Sequence, residues 1–137
     1  AQEKGFNRLA DASQALGRYQ GLVAGTRKSW AEKNRPALVG YIRGYAEAVE
    51  WIFDPRNREE AIAIFMKNTP NATRQSAERA YAVLTHPTEG LQRKAQIDLE
   101  GVATALQLRS KYAKPQKALA DPASYYESRY YDAAMRR

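Results

Sequence analysis

The pattern of apolar positions changes near residue 29 of the chain. Before that point, residues 20–26 form a short apolar run between glycines, which predicts a β-strand, and residues 6–10 are a weaker strand candidate. Residues 11–18 between them are predicted to be a loop. From residue 29 onward apolar side chains recur at intervals of three and four residues, which predicts helices to the end of the chain.

The strongest helical pattern covers residues 35–53. Its apolar positions share one face of a helix and are Leu38, Tyr41, Ile42, Tyr45, Val49, Ile52 and Phe53. Pro36 suits the first turn, where its missing N–H would have no helical partner. Asp54 precedes Pro55 and is predicted to end this helix, because proline pushes the residue before it out of the α region.

Two shorter helices are predicted next, each with its own start signal. Asn57 and Glu60 have the spacing of a capping box, so Asn57 is expected to cap a helix that ends before Pro70. Thr73 is expected to cap a third helix, which closes near His86 and Pro87.

The last third of the chain predicts a fourth and a fifth helix. A helix over residues 94–112 is indicated by Leu99, Val102 and Leu106, and Asp121 followed by Pro122 marks the start of a tail that holds four tyrosines. The predicted fold class is therefore mainly α, with about five helices and one or two short N-terminal strands. Because an unpaired strand is marginal in water, we expect the chain to be a fragment, or to self-associate through its N-terminal strand.

Composition excludes several kinds of site. The 137 residues include no cysteine and one histidine, so we expect no disulfide, iron–sulfur cluster, thiol catalyst, metal site or other cofactor. No apolar run approaches the roughly 18 residues that cross a bilayer.

The 22 basic and 15 acidic residues give a net charge of +7, but the basic residues are scattered. The longest acid-free stretches lie between Asp11 and Glu32 and between Glu100 and Asp121.

An ordered series of segments along the chain resembles a known family. The series comprises Tyr19-Gln20-Gly21, residues 29–39, residues 54–62, Asp98-Leu99-Glu100-Gly101-Val102, residues 106–110, and residues 121–126 with Tyr130-Tyr131. Taken in this order, they resemble the C-terminal part of the solute-binding proteins of ABC importers, in the branch that binds aliphatic sulfonates, taurine and nitrate.

The resemblance implies a fragment of a two-lobed α/β periplasmic-binding-protein fold. Residues 1–28 would be the end of the second lobe with its crossover strands, and residues 29–137 would be helices packing on the first lobe. The implied function is capture of a small molecule, which can be anionic, by lobe closure and its delivery to an ABC permease. The implied location is the periplasm, with a signal peptide upstream of this segment.

Ligand contacts are expected at Arg18, Tyr19 and Gln20, where the crossover would line the cleft of such a protein. A few polar groups and aromatic rings orient a small ligand in a pocket of that kind. Arg18 could bind an anionic head group through two parallel hydrogen bonds.

Other candidate sites have simpler structural explanations. His86 stands at a predicted helix end without a visible partner for acid–base catalysis. The neighbouring carboxylates Glu59 and Glu60, or Asp98 and Glu100, point different ways on a helix. We therefore expect no enzyme. The alternative function, suggested by net charge, is a basic helical module that binds nucleic acid through phosphate contacts, although no nucleic-acid partner is expected for a solute-binding protein.

Overall fold

Helices make up nearly all of the regular structure. The computed structural model of the protein describes residues 5–7, 9, 10, 12–119 and 121–136. The α-helices in this part are α1 (Ala12–Leu16), α2 (Lys28–Lys33), α3 (Arg35–Phe53), α4 (Arg58–Asn68), α5 (Arg74–Leu84), α6 (Leu99–Tyr112) and α7 (Ser128–Met135). Short 3-10 turns cover Pro55–Asn57, Arg93–Ala95 and Pro122–Tyr125.

The predicted N-terminal strands are wrong, and with them the predicted fold class. No residue in the described ranges belongs to a β-strand. Residues 20–26 have no regular structure, and the side chains of Leu22 and Val23 are 89% and 62% exposed. A strand needs a partner that pairs its backbone, and the described part of the chain supplies none to this run. The same holds for residues 6, 7, 9 and 10, whereas Arg8 lies outside the described residues.

The helix predicted over residues 35–53 is confirmed at both ends. Pro36 occupies its first turn, and Asp54 follows its last residue in an extended conformation. The predicted buried face is only partly correct. Val49 is 3% exposed, whereas Tyr41 and Tyr45 are 60% and 49% exposed and stack on each other with ring centroids 6.3 Å apart.

The start of α4 differs from the predicted capping box. The amide of Asn57 makes no cap hydrogen bond and instead donates from Nδ2 to the carbonyl of Trp51 at 2.9 Å. The capping residue here is Asp54, whose side chain accepts from the N–H of Arg56 and so opens the 3-10 turn before α4. The predicted cap of α5 is confirmed: Thr73 and Ser76 form a reciprocal capping box.

Helix α6 begins five residues later than predicted. Lys94 and Ala95 adopt positive φ values of 56° and 55°, which an α-helix cannot accommodate. Glu50 of α3 accepts from the N–H of Lys94, and the hydroxyl of Tyr131 in α7 donates to the Lys94 carbonyl. These contacts stabilise a turn where the apolar pattern predicts a helix.

The chain packs as two compact units that alternate along the sequence. Unit 1 comprises residues 1–25 and 97–127, and unit 2 comprises residues 26–96 and 128–137. The boundary predicted between residues 28 and 29 divides the chain by the lobe to which each part would belong in a two-lobed binding protein. This boundary stays a prediction. By packing, residues 97–127 belong with the N-terminal segment.

The buried apolar side chains of the described residues all lie in unit 2. They are Ala31, Ala46, Val49, Ile62, Ala77, Tyr130 and Ala134. Helix α7 packs on α3, where the guanidinium Nε of Arg43 donates to the carbonyl of Ala134 at 3.0 Å. Tyr130 is 6% exposed beneath the guanidinium of Arg35.

Candidate functional site

The predicted ligand residues lie against the N-terminus of α6, in unit 1. Arg18 forms a two-pronged ion pair with Asp98: Nε donates to Oδ2 at 2.9 Å and Nη2 donates to Oδ1 at 2.8 Å. The third nitrogen, Nη1, contacts Oε2 of Glu100 at 2.9 Å. The Asp98 side chain is only 9% exposed, whereas that of Glu100 is 74% exposed. One guanidinium therefore holds one sheltered and one solvated carboxylate.

Gln20 ties the same segment to the cap of α6 through its amide. Its Oε1 accepts from the backbone N–H of Asp98 at 3.1 Å, and its Nε2 donates to the carbonyl of Leu22 at 2.8 Å. Asp98 in turn accepts from the N–H of Glu100 and caps the helix. The side-chain amide of Gln20 thus links the backbone of Asp98 to the backbone of Leu22.

Gly101 allows the two segments to approach this closely. A Cβ atom at this position would lie 2.7 Å from the backbone nitrogen of Gln20 and 2.9 Å from Oδ2 of Asp98. Both distances are shorter than van der Waals contact permits, so glycine is required for this packing.

The electrostatics of the cluster follow from this geometry. Partial burial acts to raise the pKa of Asp98, but the hydrogen bonds from Arg18 and from the N–H of Gly101, with the charge of Arg18, outweigh it. The pKa of Asp98 is therefore lowered. The hydrogen bond with Asp98 and the charges of both carboxylates raise the pKa of Arg18. An anionic ligand at Arg18 would thus compete with carboxylates already in place.

Tyr19 is the member of the predicted trio whose side chain is not held by the cluster. It is 47% exposed, and its ring edge lies beside Gly21. The structure therefore brings Arg18 and Gln20 to one cluster through their side chains, with Tyr19 adjacent at the surface. Their roles in ligand binding stay predictions.

Sequence reasoning missed Asp98, Glu100 and Gly101 as the surroundings of Arg18. As candidate chemistry the sequence suggests Asp98 and Glu100 only as a pair with each other, whereas the structure joins them through the guanidinium of Arg18, 80 residues before Asp98. The role of Asp98 as a helix cap could be predicted from the sequence, because Asp98 stands directly before an apolar helical pattern, as a cap does. No sequence spacing identifies its partner.

The other candidate catalytic residues, His86 and Glu59, make structural contacts. The Nδ1 of His86 accepts from the N–H of Glu89 at 3.2 Å, so the ring closes the turn after α5. Glu59 pairs with Arg58 and Arg74, and hydrogen bonds from these arginines lower its pKa. Among the described residues, no three side chains of His, Asp or Glu converge as they would to hold a metal ion.

The comparisons with known proteins add no relative. No protein-family model matches the chain, and no curated protein or solved structure is significantly similar to it. Within the described ranges, every helix is too short or too polar to span a lipid bilayer.

Proposed function

We propose that this chain is part of the solute-binding component of an ABC importer, of the type that binds sulfonates, taurine or nitrate. It contributes to the capture of a small anionic molecule in the periplasm and to its delivery to a membrane permease, without chemical change to the molecule. The proposal starts from the ordered resemblance along the chain, and one structural observation supports it.

That observation is where the resembling segments lie. Three of these segments begin with an aspartate: Asp54, Asp98 and Asp121. Each aspartate accepts a hydrogen bond from the backbone N–H two residues later. The segment over residues 29–39 runs through α2 into the first turn of α3. Three of the resembling segments thus begin at a capping residue: Asp98 caps α6, and Asp54 and Asp121 open 3-10 turns.

Arg18 offers one place for an anion. Its contact with Glu100 is a single, solvent-exposed ion pair, and such pairs contribute little to stability. Its contact with Asp98 is two-pronged and sheltered. A sulfonate or nitrate oxygen would therefore replace Glu100 at Nη1, while Asp98 continues to orient the guanidinium.

Isothermal titration calorimetry on the natural gene product tests this function. Taurine, an aliphatic sulfonate and nitrate are titrated in turn, and we expect at least one to bind. Arg18→Lys should weaken binding about tenfold, because a lysine cannot reproduce the forked geometry. Glu100→Gln should strengthen binding, because it removes the competing charge. Arg56→Lys is the matched control, since Arg56 forms a comparable exposed pair with Asp54.

The outcomes separate the proposal from the nucleic-acid alternative. If none of these anions binds the natural gene product, the proposed function is wrong. If duplex DNA binds instead, with an affinity that falls steeply as salt is raised, the basic module is the better description. If an anion binds but Arg18→Lys and Glu100→Gln leave the affinity unchanged, the transport function stands and Arg18 is not its contact.

A further inference from the structure

Residues of the acid-free stretch between Glu100 and Asp121, together with Pro122, line a groove within unit 1. One wall is a single face of α6, at positions 103, 106, 107, 110 and 111, and the other wall includes Lys117, Leu119 and Pro122. We call this the α6 groove. Its volume is about 720 Å³, and it is wide open to solvent.

The two lysines that line the α6 groove have no acidic partner. In the part of the chain that the structure describes, neither Lys111 nor Lys117 forms an ion pair, and nor do Arg109 and Lys114 of the same acid-free stretch. By contrast, many arginines outside the groove do form ion pairs with carboxylates. They are Arg18, Arg56, Arg58, Arg74, Arg93 and Arg129. Positive charge is thus left uncompensated at this groove.

Each wall of the groove also carries an apolar side chain, and this restricts the kind of partner. Leu106 on the α6 wall and Leu119 on the other wall are half-buried, while Lys111 and Lys117 are exposed. A small anion would use the lysines but leave the leucines in water, and an open groove would enclose little of it. A nucleic-acid backbone would likewise leave the two leucines uncovered, since its contacts are made through phosphates. A segment with both acidic and apolar side chains matches both features.

We propose that the α6 groove binds an acidic, amphipathic helix of a partner protein. The α6 wall from residue 103 to residue 111 is about 12 Å long, which accommodates roughly two turns of such a helix. Leucine-like side chains of the partner would contact Leu106 and Leu119, and its carboxylates would pair with Lys111 and Lys117. This inference does not depend on the proposed transport function, because it uses none of the residues around Arg18.

The test uses a synthetic peptide of about 15 residues, with leucines at helical spacing and glutamates between them. Binding to the full chain is followed by fluorescence anisotropy and mapped by amide chemical shifts. We expect shifts confined to α6 and residues 116–122. Replacing the glutamates of the peptide by glutamines should weaken binding about tenfold, because the groove offers uncompensated positive charge.

Charge reversal of the protein provides the matched comparison. The Lys111→Glu/Lys117→Glu variant should weaken binding about tenfold or more, since like charges then face each other. The control, Lys28→Glu/Lys33→Glu, changes the net charge equally on exposed positions of α2 and should alter binding less than about twofold. Lys111→Gln/Lys117→Gln, with circular dichroism on each variant, separates loss of binding from loss of folding.

Several results would overturn the proposal. Equal weakening by the two charge reversals would show general attraction to a basic protein. Shifts outside the groove, no binding by the acidic peptide, or equal binding of its glutamine version would each exclude the site. Displacement of the peptide by millimolar sulfate, or by a short DNA duplex at physiological salt, would assign the groove to a small anion or to nucleic acid instead.

Discussion

At the scale of single residues, Gly101 determines how closely residues 18–20 pack on α6. Gly101→Ala should destabilise the protein by about 1 kcal/mol, because the strain of overpacking exceeds the gain in helix propensity. The strain arises from the 2.7 Å distance between the new Cβ and the backbone nitrogen of Gln20. Urea denaturation, followed by circular dichroism, measures the change.

Gly40→Ala is the control for Gly101→Ala. Gly40 lies inside α3 and has no atom within 4 Å of an added Cβ, so the substitution should stabilise the protein by roughly 0.5–1 kcal/mol. Changes of the same sign at the two glycines would contradict the close approach at Gly101.

The pairing of Arg18 with Asp98 predicts a specific pH dependence. The pKa of Asp98 is lowered in the folded protein, so the pair stabilises the fold above the unfolded value of about 3.9. This contribution is lost as the pH falls through the lower folded pKa. Arg18→Gln should raise the pKa of Asp98, and the stability difference from the wild type should disappear at low pH.

Carboxyl-carbon NMR titration of Asp98 provides the measurement. Arg56→Gln is the control, because Arg56 lowers the pKa of Asp54 to about 2 and does not contact Asp98. A pKa of Asp98 that is unchanged by Arg18→Gln, or changed equally by Arg56→Gln, would show that the ion pair is not formed in solution.

The same residues show what a sequence can and cannot reveal at this scale. Asp121 and Thr73 were predictable as caps, because the cap and the N–H that it accepts from are neighbours in sequence. The contact between Arg18 and Asp98 joins positions 80 residues apart, and no local pattern encodes it. Arg18 was nevertheless singled out, although for its charge and not for its partner.

At the scale of elements, the docking of α7 on α3 depends on Tyr130. This side chain is 6% exposed, and the guanidinium groups of Arg35 and Arg129 lie 5.8 Å and 4.9 Å from the centre of its ring. Tyr130→Ala should destabilise the protein by about 3 kcal/mol, as the removal of a buried aromatic ring usually does. Tyr112→Ala is the control, because Tyr112 is 67% exposed and its loss should change stability by less than about 0.5 kcal/mol. Thermal and urea unfolding would measure the stability of both variants, and equal losses of stability would contradict the packing of Tyr130.

Element boundaries were predictable where the signal is local. Both ends of α3 follow from Pro36 and from Asp54 before Pro55. The start of α6 was not predictable, because Glu50 and Tyr131 hold the turn at Lys94 from distant parts of the chain. Helix α1 was missed because its five residues are too few to show an apolar period.

At the scale of the whole molecule, self-association through residues 20–26 stays a prediction, although these residues do not form the expected strand. In the described chain, the backbone of residues 21–26 makes one hydrogen bond, through the carbonyl of Leu22. An exposed apolar segment with free backbone groups can pair with a second copy. Light scattering should therefore show a mass that rises with protein concentration.

Two lysine substitutions locate this association. Leu22→Lys should shift it to higher concentration, because a charge at an exposed edge opposes pairing. Val83→Lys introduces the same charge at an apolar side chain of α5 that is 65% exposed, and it should have no effect. A monomer at every accessible concentration would contradict the prediction.

The distribution of buried side chains predicts different local stabilities for the two units. Helix α3 contributes Ala46 and Val49 to the buried set of unit 2, whereas no apolar side chain described in unit 1 is buried, and α6 buries only Gly101. Local unfolding costs least where few apolar contacts are lost. Native-state hydrogen exchange should therefore give lower opening free energies for the central amides of α6 than for those of α3. Equal protection in the two helices would mean that α6 derives its stability from contacts other than the burial of its own side chains. The cap at Asp98 would then be the first contact to test, because Arg18, Gln20 and Gly101 all converge on it.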